Sequence, residues 1–255
     1  RPPRSTLFPY TTLFRSNGPA DLVAWWRNSS KNRGIQQFTA AIHAIKESGI
    51  LTINPCSHDQ QFPALVLAAG RASRMGPYKQ LLRVPGRGTL LDNAIGQARQ
   101  LSAQVTVVAG AGYPLVRFRC HRQPASWIVC DNWQAGLAES LKAGVAALGP
   151  RAVGVFVVLG DQPLLDVDGL KQLARQARDT PAKALGASYG RRTGVPAWIP
   201  RALWPQVFQL EGDAGAGVIL NRAGAGRVEI AGVQQDVDTP GDWRQVRAVL
   251  STEQA

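Results

Sequence analysis

Cysteine, histidine, acidic residues and long apolar runs are all scarce in this 255-residue chain, and each shortage removes a class of protein. There are three cysteines, Cys56, Cys120 and Cys130, with no C-x-x-C pair. An odd, scattered set argues against a disulfide framework or a zinc site, so a reducing, cytoplasmic compartment is expected. The three histidines, His43, His58 and His121, are equally dispersed, and no histidine-based catalytic or metal centre is expected. The longest apolar run, residues 153–159, is far below the roughly 20 residues of a membrane-spanning helix. Aromatic residues are 7% of the chain and nowhere interleave with a basic stripe, so no nucleic-acid footprint is expected. Acidic residues number 17 against 29 basic ones, a net charge of +12, which favours anions in general, nucleotides and phosphorylated metabolites among them.

What is present is a globular composition, with 45% apolar and 18% charged residues. The N-terminal quarter differs in texture from the rest. Residues 6–16, TLFPYTTLFRS, match the translation of a common short-read sequencing adapter codon for codon, so residues 1–16 are read as an assembly artefact without function. Residues 17–61 form an uncertain extension. Ile35, Phe38, Ile42 and Ile45 have the spacing of an amphipathic helix, with Gly49 as its stop, and a polar linker around Pro55, Ser57 and Asp59 closes the segment.

From Phe62 onward, short β-rich runs at 64–69, 104–109, 127–130, 153–159, 184–189 and 197–199 alternate with helical stretches at 90–101, 136–148 and 168–177. Continuous apolar strands separated by helices predict an α/β domain, a mostly parallel Rossmann-like sheet with helices on both faces. Ligands of such sheets bind at the carboxyl ends of the strands. The first strand runs into Gly70, Ser73, Arg74, Gly76 and Lys79, a glycine loop with basic residues suited to phosphate oxygens. The spacing is neither a P-loop nor a dinucleotide G-x-G-x-x-G motif. The fourth strand ends in Gly160-Asp161-Gln162-Pro163. An acid there faces the same crevice and suits Mg²⁺, which is held by one or two carboxylates. Asp166 and Asp168 precede a helix and are expected to cap it. Cys130, at a strand end, is read as a small buried hydrophobe. The tryptophans Trp198, Trp204 and Trp243 are expected in the core or on its rim.

Together these segments resemble the molybdenum cofactor (molybdopterin) nucleotidyltransferases, with the cytidylyltransferase branch the nearest. The family's opening motif, L-A-A-G-x-S-x-R-M-G-x-x-K, is matched from Leu67 to Lys79, with only the serine one position late at Ser73. Asp161-Gln162-Pro163 matches its D-x-P motif. Trp133, Gly136, Ser140 and Leu141 match W-x-x-G-x-x-x-S-L, residues 212–216 match G-D-x-G-A, and residues 236–242 match D-x-D-T-P-x-D. The departures are the Asn that relatives carry shortly before the motif tryptophan, whose register is left open by Cys130-Asp131-Asn132; Val195, where relatives carry the His of G-H-P; and Gly217, where they carry Arg.

The resemblance implies a glycosyltransferase-A-like fold and Mg²⁺-dependent transfer of CMP from CTP to molybdopterin, giving the cytosine dinucleotide and pyrophosphate. A molybdoenzyme would receive the product. It implies a nucleotide site of Leu67, Ala68, Ala69, Gly70, Arg74, Gly76 and Lys79, with Arg74, Lys79 and Asp161 catalytic and Asp161 and Asp238 at the metal. Ala68-Ala69, where GTP-using relatives tend to have Gly-Gly, implies a pyrimidine. Another phosphorylated acceptor, or a carrier that binds molybdopterin without catalysis, are the alternatives.

Overall fold

The computed structural model describes residues 60–70, 75 and 78–252. Residues 1–59, with the adapter-like segment and the candidate helix around Ile35, lie outside the described residues, as do Arg71, Ala72, Ser73, Arg74, Gly76 and Pro77.

The main sheet is built around β1 (Ala64–Ala68), which pairs in parallel with β4 (Val105–Ala109) on one side and β6 (Gly154–Leu159) on the other. Outside β4 lies β5 (Ser126–Val129); beyond β6 come β8 (Arg192–Pro200), β7 (Leu185–Tyr189) and β9 (Gly226–Val228). Strand β8 is antiparallel to both β6 and β7, while the other pairings are parallel. The mostly parallel sheet expected from the sequence is therefore present, with one reversed strand. The 197–199 segment belongs to that strand, which is longer than the apolar run suggests.

Successive β1 side chains divide between two cores, as alternation across a strand requires. Ala64, Val66 and Ala68 meet helices α1 (Leu90–Leu101) and α4 (Val167–Asp179). Leu65 and Leu67 meet α3 (Leu137–Ala146), α5 (Trp204–Val207) and α6 (Ala216–Arg222). With both faces covered, the strand is apolar throughout. Helix α2 (Tyr113–Arg119) follows β4, and α7 (Pro240–Thr252) closes the described chain. No helix among the described residues is long and apolar enough to cross a membrane. Trp198 is fully buried, Trp204 nearly so, and Trp243 packs beside Val246 and Leu250.

A short hairpin, β2 (Arg83–Val84) and β3 (Gly88–Thr89), leads into α1. The sequence Thr89-Leu90-Leu91-Asp92 closes a capping box there. Asp92 Oδ2 accepts from Thr89 N and Oγ1, both at 2.8 Å, and Thr89 Oγ1 accepts from Asp92 N. Asp92 is 2% exposed, and its Oδ1 also accepts from Arg122 N at 2.6 Å and Cys120 Sγ at 3.1 Å. Burial pushes this carboxyl up, but the bonds from Thr89, Arg122 and Cys120 outweigh it and hold it below the ordinary carboxylate range. The expected cap at α4 is Asp166, which accepts from Gly169 N at 2.8 Å. Asp168 instead lies inside the first helical turn, 3.7 Å from Lys171, because the helix already starts at Val167.

Asp92→Asn should cost about 3 kcal/mol, since an amide cannot accept from every one of these donors. In a domain of this size the melting temperature should fall by roughly 6–12 °C. Because the folded carboxyl titrates below its unfolded value, the advantage over Asp92→Asn is complete near neutral pH. It should shrink as pH falls through the folded pKa, below about pH 4. Melting curves of both chains from pH 3 to 7 check the magnitude and the sign.

The domain boundary generates a second expectation. Gln61 N donates to Arg151 O at 3.0 Å, and Gln61 O accepts from Val153 N at 3.1 Å. We propose that the domain begins there, so a chain starting at Gln60 should melt as the full chain does. A loss of several degrees would place residues 17–59 within the folding unit.

Candidate active site

Strands β1 and β6 end side by side, with Gly160 N donating to Leu67 O at 3.0 Å. Their apolar faces leave only the strand ends for polar chemistry. A Cβ on Gly160 would lie 3.2 Å from Ala68 Cβ, so glycine suits this close approach. Past the ends lies a cavity of about 480 Å³. Leu67, Ala68, Ala69, Gly70, Lys79, Asp161 and Asp238 all line it, so the expected site residues that are described converge there. Arg74 and Gly76, also expected at this site, lie outside the described residues.

The cavity's charge centre is Lys79. It opens a 3-10 turn, Lys79–Leu81, and its Nζ lies 3.0 Å from Asp161 Oδ2 and 3.0 Å from Asp238 Oδ1. Burial alone pulls this ammonium down; the charges and hydrogen bonds of Asp161 and Asp238 more than offset that and raise its pKa. Lys79 is thus a fixed cation. The turn is entered through Tyr78, a non-glycine residue at positive φ (69°), whose ring packs against Gly112. Such a conformation costs on the order of 1 kcal/mol, held here by the surrounding contacts.

Asp161 Oδ1 is buried and has no hydrogen-bond partner, an orphaned hard oxygen in a cavity that also holds Asp238. The two carboxylates supply hard oxygen donors that fit a small divalent cation of the Mg²⁺ type. Asp238 is brought in by the late segment, in which Val237 N donates to Asp161 O at 2.9 Å. Asp242 Oδ2 then accepts from Thr239 N at 2.8 Å and Asp238 N at 3.1 Å, starting α7.

Three supporting residues escaped the sequence reading. Gln80 is buried, and its Nε2 donates to Ala68 O at 2.9 Å and Gly70 O at 3.0 Å, fixing where the phosphate-type loop leaves β1. Gln162 is 1% exposed, and its Nε2 donates to Tyr189 OH and Val233 O, each at 2.9 Å. Tyr189 OH donates in turn to Val195 O at 2.7 Å. Burial pushes the Tyr189 phenol above its ordinary pKa, so the donor proton is retained. The third is Asp213, on the cavity wall. Gly136 holds it there: at φ 115° it packs so closely on Gly212 O that no Cβ fits. The G-D-x-G-A stretch signals this residue only through its resemblance. Cys130 is buried, which raises its thiol pKa, and it behaves as the small hydrophobe expected.

A second, more apolar cavity of about 560 Å³ adjoins the first and shares Leu67, Leu137 and Leu159 with it. Tyr189, Val195 and Gly217 line it. Asn221 stiffens its far wall, accepting from Thr193 N at 3.0 Å and donating to Thr193 O at 2.8 Å. Two of the departures from the family pattern, Val195 and Gly217, therefore fall in this second chamber.

Comparison with known proteins agrees with this geometry. The purine catabolism protein PucB of Bacillus subtilis (strain 168) is 30% identical over 207 residues, 72% of this chain and 95% of that protein. The molybdenum cofactor cytidylyltransferase of Escherichia coli (strain K12) is 26% identical over 185 residues, 70% of this chain and 92% of the relative. A crystal structure of Rv0371c from Mycobacterium tuberculosis H37Rv in complex with manganese has a TM-score of 0.61 and 28% identity. It covers 74% of this chain and 98% of that one. The MobA-like NTP transferase domain matches residues 64–228, the span from the first residue of β1 to the last of β9. With Lys79 and three carboxylates, Asp161, Asp213 and Asp238, in the cavity at its strand ends and that match over most of its length, the chain belongs to the MobA-like NTP transferase family and is a nucleotidyltransferase.

Proposed function

We propose that the chain transfers CMP from CTP to molybdopterin, releasing pyrophosphate and forming the cytosine dinucleotide, with Mg²⁺ as its cofactor. The observation that carries this reading is Lys79 held between Asp161 and Asp238 at the end of the motif-bearing strand. The E. coli relative's name supports the molybdopterin acceptor, and the matched motif from Leu67 to Lys79 supports the nucleotide.

The terminal phosphate of the pterin attacks the α-phosphorus of CTP, and the bond to the β-phosphate oxygen breaks in line. With a second pKa of about 6, that phosphate is largely dianionic near neutral pH and needs no general base. Catalysis then rests on positioning and charge neutralisation. The backbone at Gly70, with Arg74 and Gly76 assigned by the sequence match, cradles the triphosphate. Lys79 neutralises charge on the departing pyrophosphate. Asp161 and Asp238 would hold Mg²⁺, which supplies charge neutralisation at the phosphates. Gln80 keeps the loop exit at fixed distance from β1. The neighbouring cavity, walled by Tyr189 and Thr193, takes the acceptor.

A different phosphorylated acceptor is the second reading, favoured by Val195 and Gly217 in that cavity. A non-catalytic carrier has no use for a lysine fixed between two carboxylates. We assign the reaction to the cytoplasm, as the cysteine pattern suggests.

Asp161→Asn should leave the fold intact by far-UV circular dichroism while lowering turnover about 100-fold or more, the scale of losing one preorganised charge-stabilising group. Near-normal rates at saturating Mg²⁺ would remove Asp161 from the metal site. The base preference is tested separately, by initial rates of pyrophosphate release with CTP, GTP, UTP and ATP, using molybdopterin as acceptor. The methyls of Ala68 and Ala69 should favour CTP over GTP by about 1–3 kcal/mol. Faster turnover with GTP would overturn the cytidylyl assignment and leave the enzyme class standing.

A further inference from the structure

On the other side of the turn that carries Lys79 lies a third cavity, of about 470 Å³, sharing no lining residue with either chamber of the active site. Four basic side chains line it, from separate parts of the chain. Arg83 comes from β2, Arg119 from the last turn of α2, His121 from the segment after it, and Arg247 from α7. No carboxylate among the described residues lines it. Among the described residues, Arg83, Arg119 and Arg247 form no ion pair. The nearby Asp92 is turned inward, its oxygens used by Thr89, Cys120 and Arg122.

Local structure fixes this arrangement. Gly88, at φ 85°, lets the hairpin lie on Asp92, where a Cβ would come within 2.7 Å of Oδ2. Leu90 N donates to Leu82 O at 2.8 Å and ties the hairpin's entry to α1. Arg83 is thus mounted on a braced strand. Helix C-terminal turns attract cations, which accounts for Arg119, but Arg83 and Arg247 have no such local reason. Three guanidiniums brought around one cavity repel each other, and among the described residues no carboxylate pairs with them. A guanidinium fork matches phosphate oxygens in pairs, and the volume is that of a small-molecule site.

We propose that this cavity is a second anion site, which binds a small phosphorylated molecule carrying at least two negative charges. The 3-10 turn is the partition between it and the active site. Lys79 and Gln80 face the catalytic cavity, while Leu81 lines the basic one. The proposal does not depend on which nucleotide or acceptor the catalytic cavity uses.

The test uses the full chain without divalent cation, titrated calorimetrically with inorganic pyrophosphate at constant ionic strength. Because the catalytic cavity also suits pyrophosphate, the titration is made in the Lys79→Ala chain as well. Binding should persist there, and hydrogen exchange should slow across residues 83–89 and 117–121. Adding Arg83→Ala and Arg247→Ala, both at exposed side chains, should weaken that binding by about tenfold or more. Lysine at the same two positions should restore part of it. Loss of all binding in Lys79→Ala, unchanged affinity in the arginine variants, or equal binding of chloride would each overturn the second site. A chain that fails to use CTP yet binds pyrophosphate in this way would refute the proposed reaction and leave this site standing.

Discussion

Strands β1 and β6 pair in parallel, from Ala64 against Phe156 to Leu67 against Leu159, with hydrophobic helices over both faces. Backbone polar groups inside that pairing are satisfied by the ladder, and every side chain of β1 is apolar. Polar chemistry is therefore expelled to the point where the two strands stop. Ala69, Gly70, Gly160 and Asp161 meet there because the register brings both strands to the same edge. The late segment is pinned to the same spot through Val237 N and Asp161 O. The site is a consequence of register.

Two glutamine side chains carry that precision outward. Gln80 clamps the backbone on either side of Ala69, and Gln162 joins the D-Q-P corner to Tyr189 and the 233 segment. An amide in a buried position gives fixed directions without adding charge, so the charged residues remain free to face the cavity. Lys79 completes the balance. With Asp161 and Asp238 it leaves one net negative charge, a lower cost than two carboxylates alone in a partly buried cleft.

Much of this was legible in the sequence, for reasons of pattern. Helix α1 has the bounds expected from its periodicity, and the strands lie within a few residues of the apolar runs. The convergence of Leu67–Gly70, Lys79, Asp161 and Asp238 followed from motif order along the chain. Strand direction was not legible: an apolar run looks the same whichever way it lies, so the reversal of β8 needed the fold. Helices α2 and α6 are short and open on glycine-rich turns, with little periodicity to read. For α7 the start signal was present as Thr239-Pro240-Gly241-Asp242, a capping box with proline at the first position, and it was read only as part of a family motif. Gln80, Gln162 and Tyr189 could not be singled out, because their partners are distant in sequence and a glutamine carries no local mark of burial. The basic cavity was hidden for the same reason, since Arg83, Arg119 and Arg247 are never neighbours along the chain.

The central position of β1 also governs how the molecule is made. Among the described residues it is the first strand of the sheet in chain order, yet its neighbours are β4 and β6, whose first partners of Ala64 are Val105 and Phe156. During synthesis the edge that pairs with β4 waits from Ala64 to Val105 for its partner, while the edge that pairs with β6 stays uncovered until Phe156, nearly a hundred residues later. At about 5–20 residues per second that interval is on the order of 5–20 seconds. Non-local parallel pairing is slow to nucleate, and an uncovered strand invites association with other chains. The nascent protein therefore passes through a window in which one edge of its future centre is unpaired, and the arrival of β6 closes it.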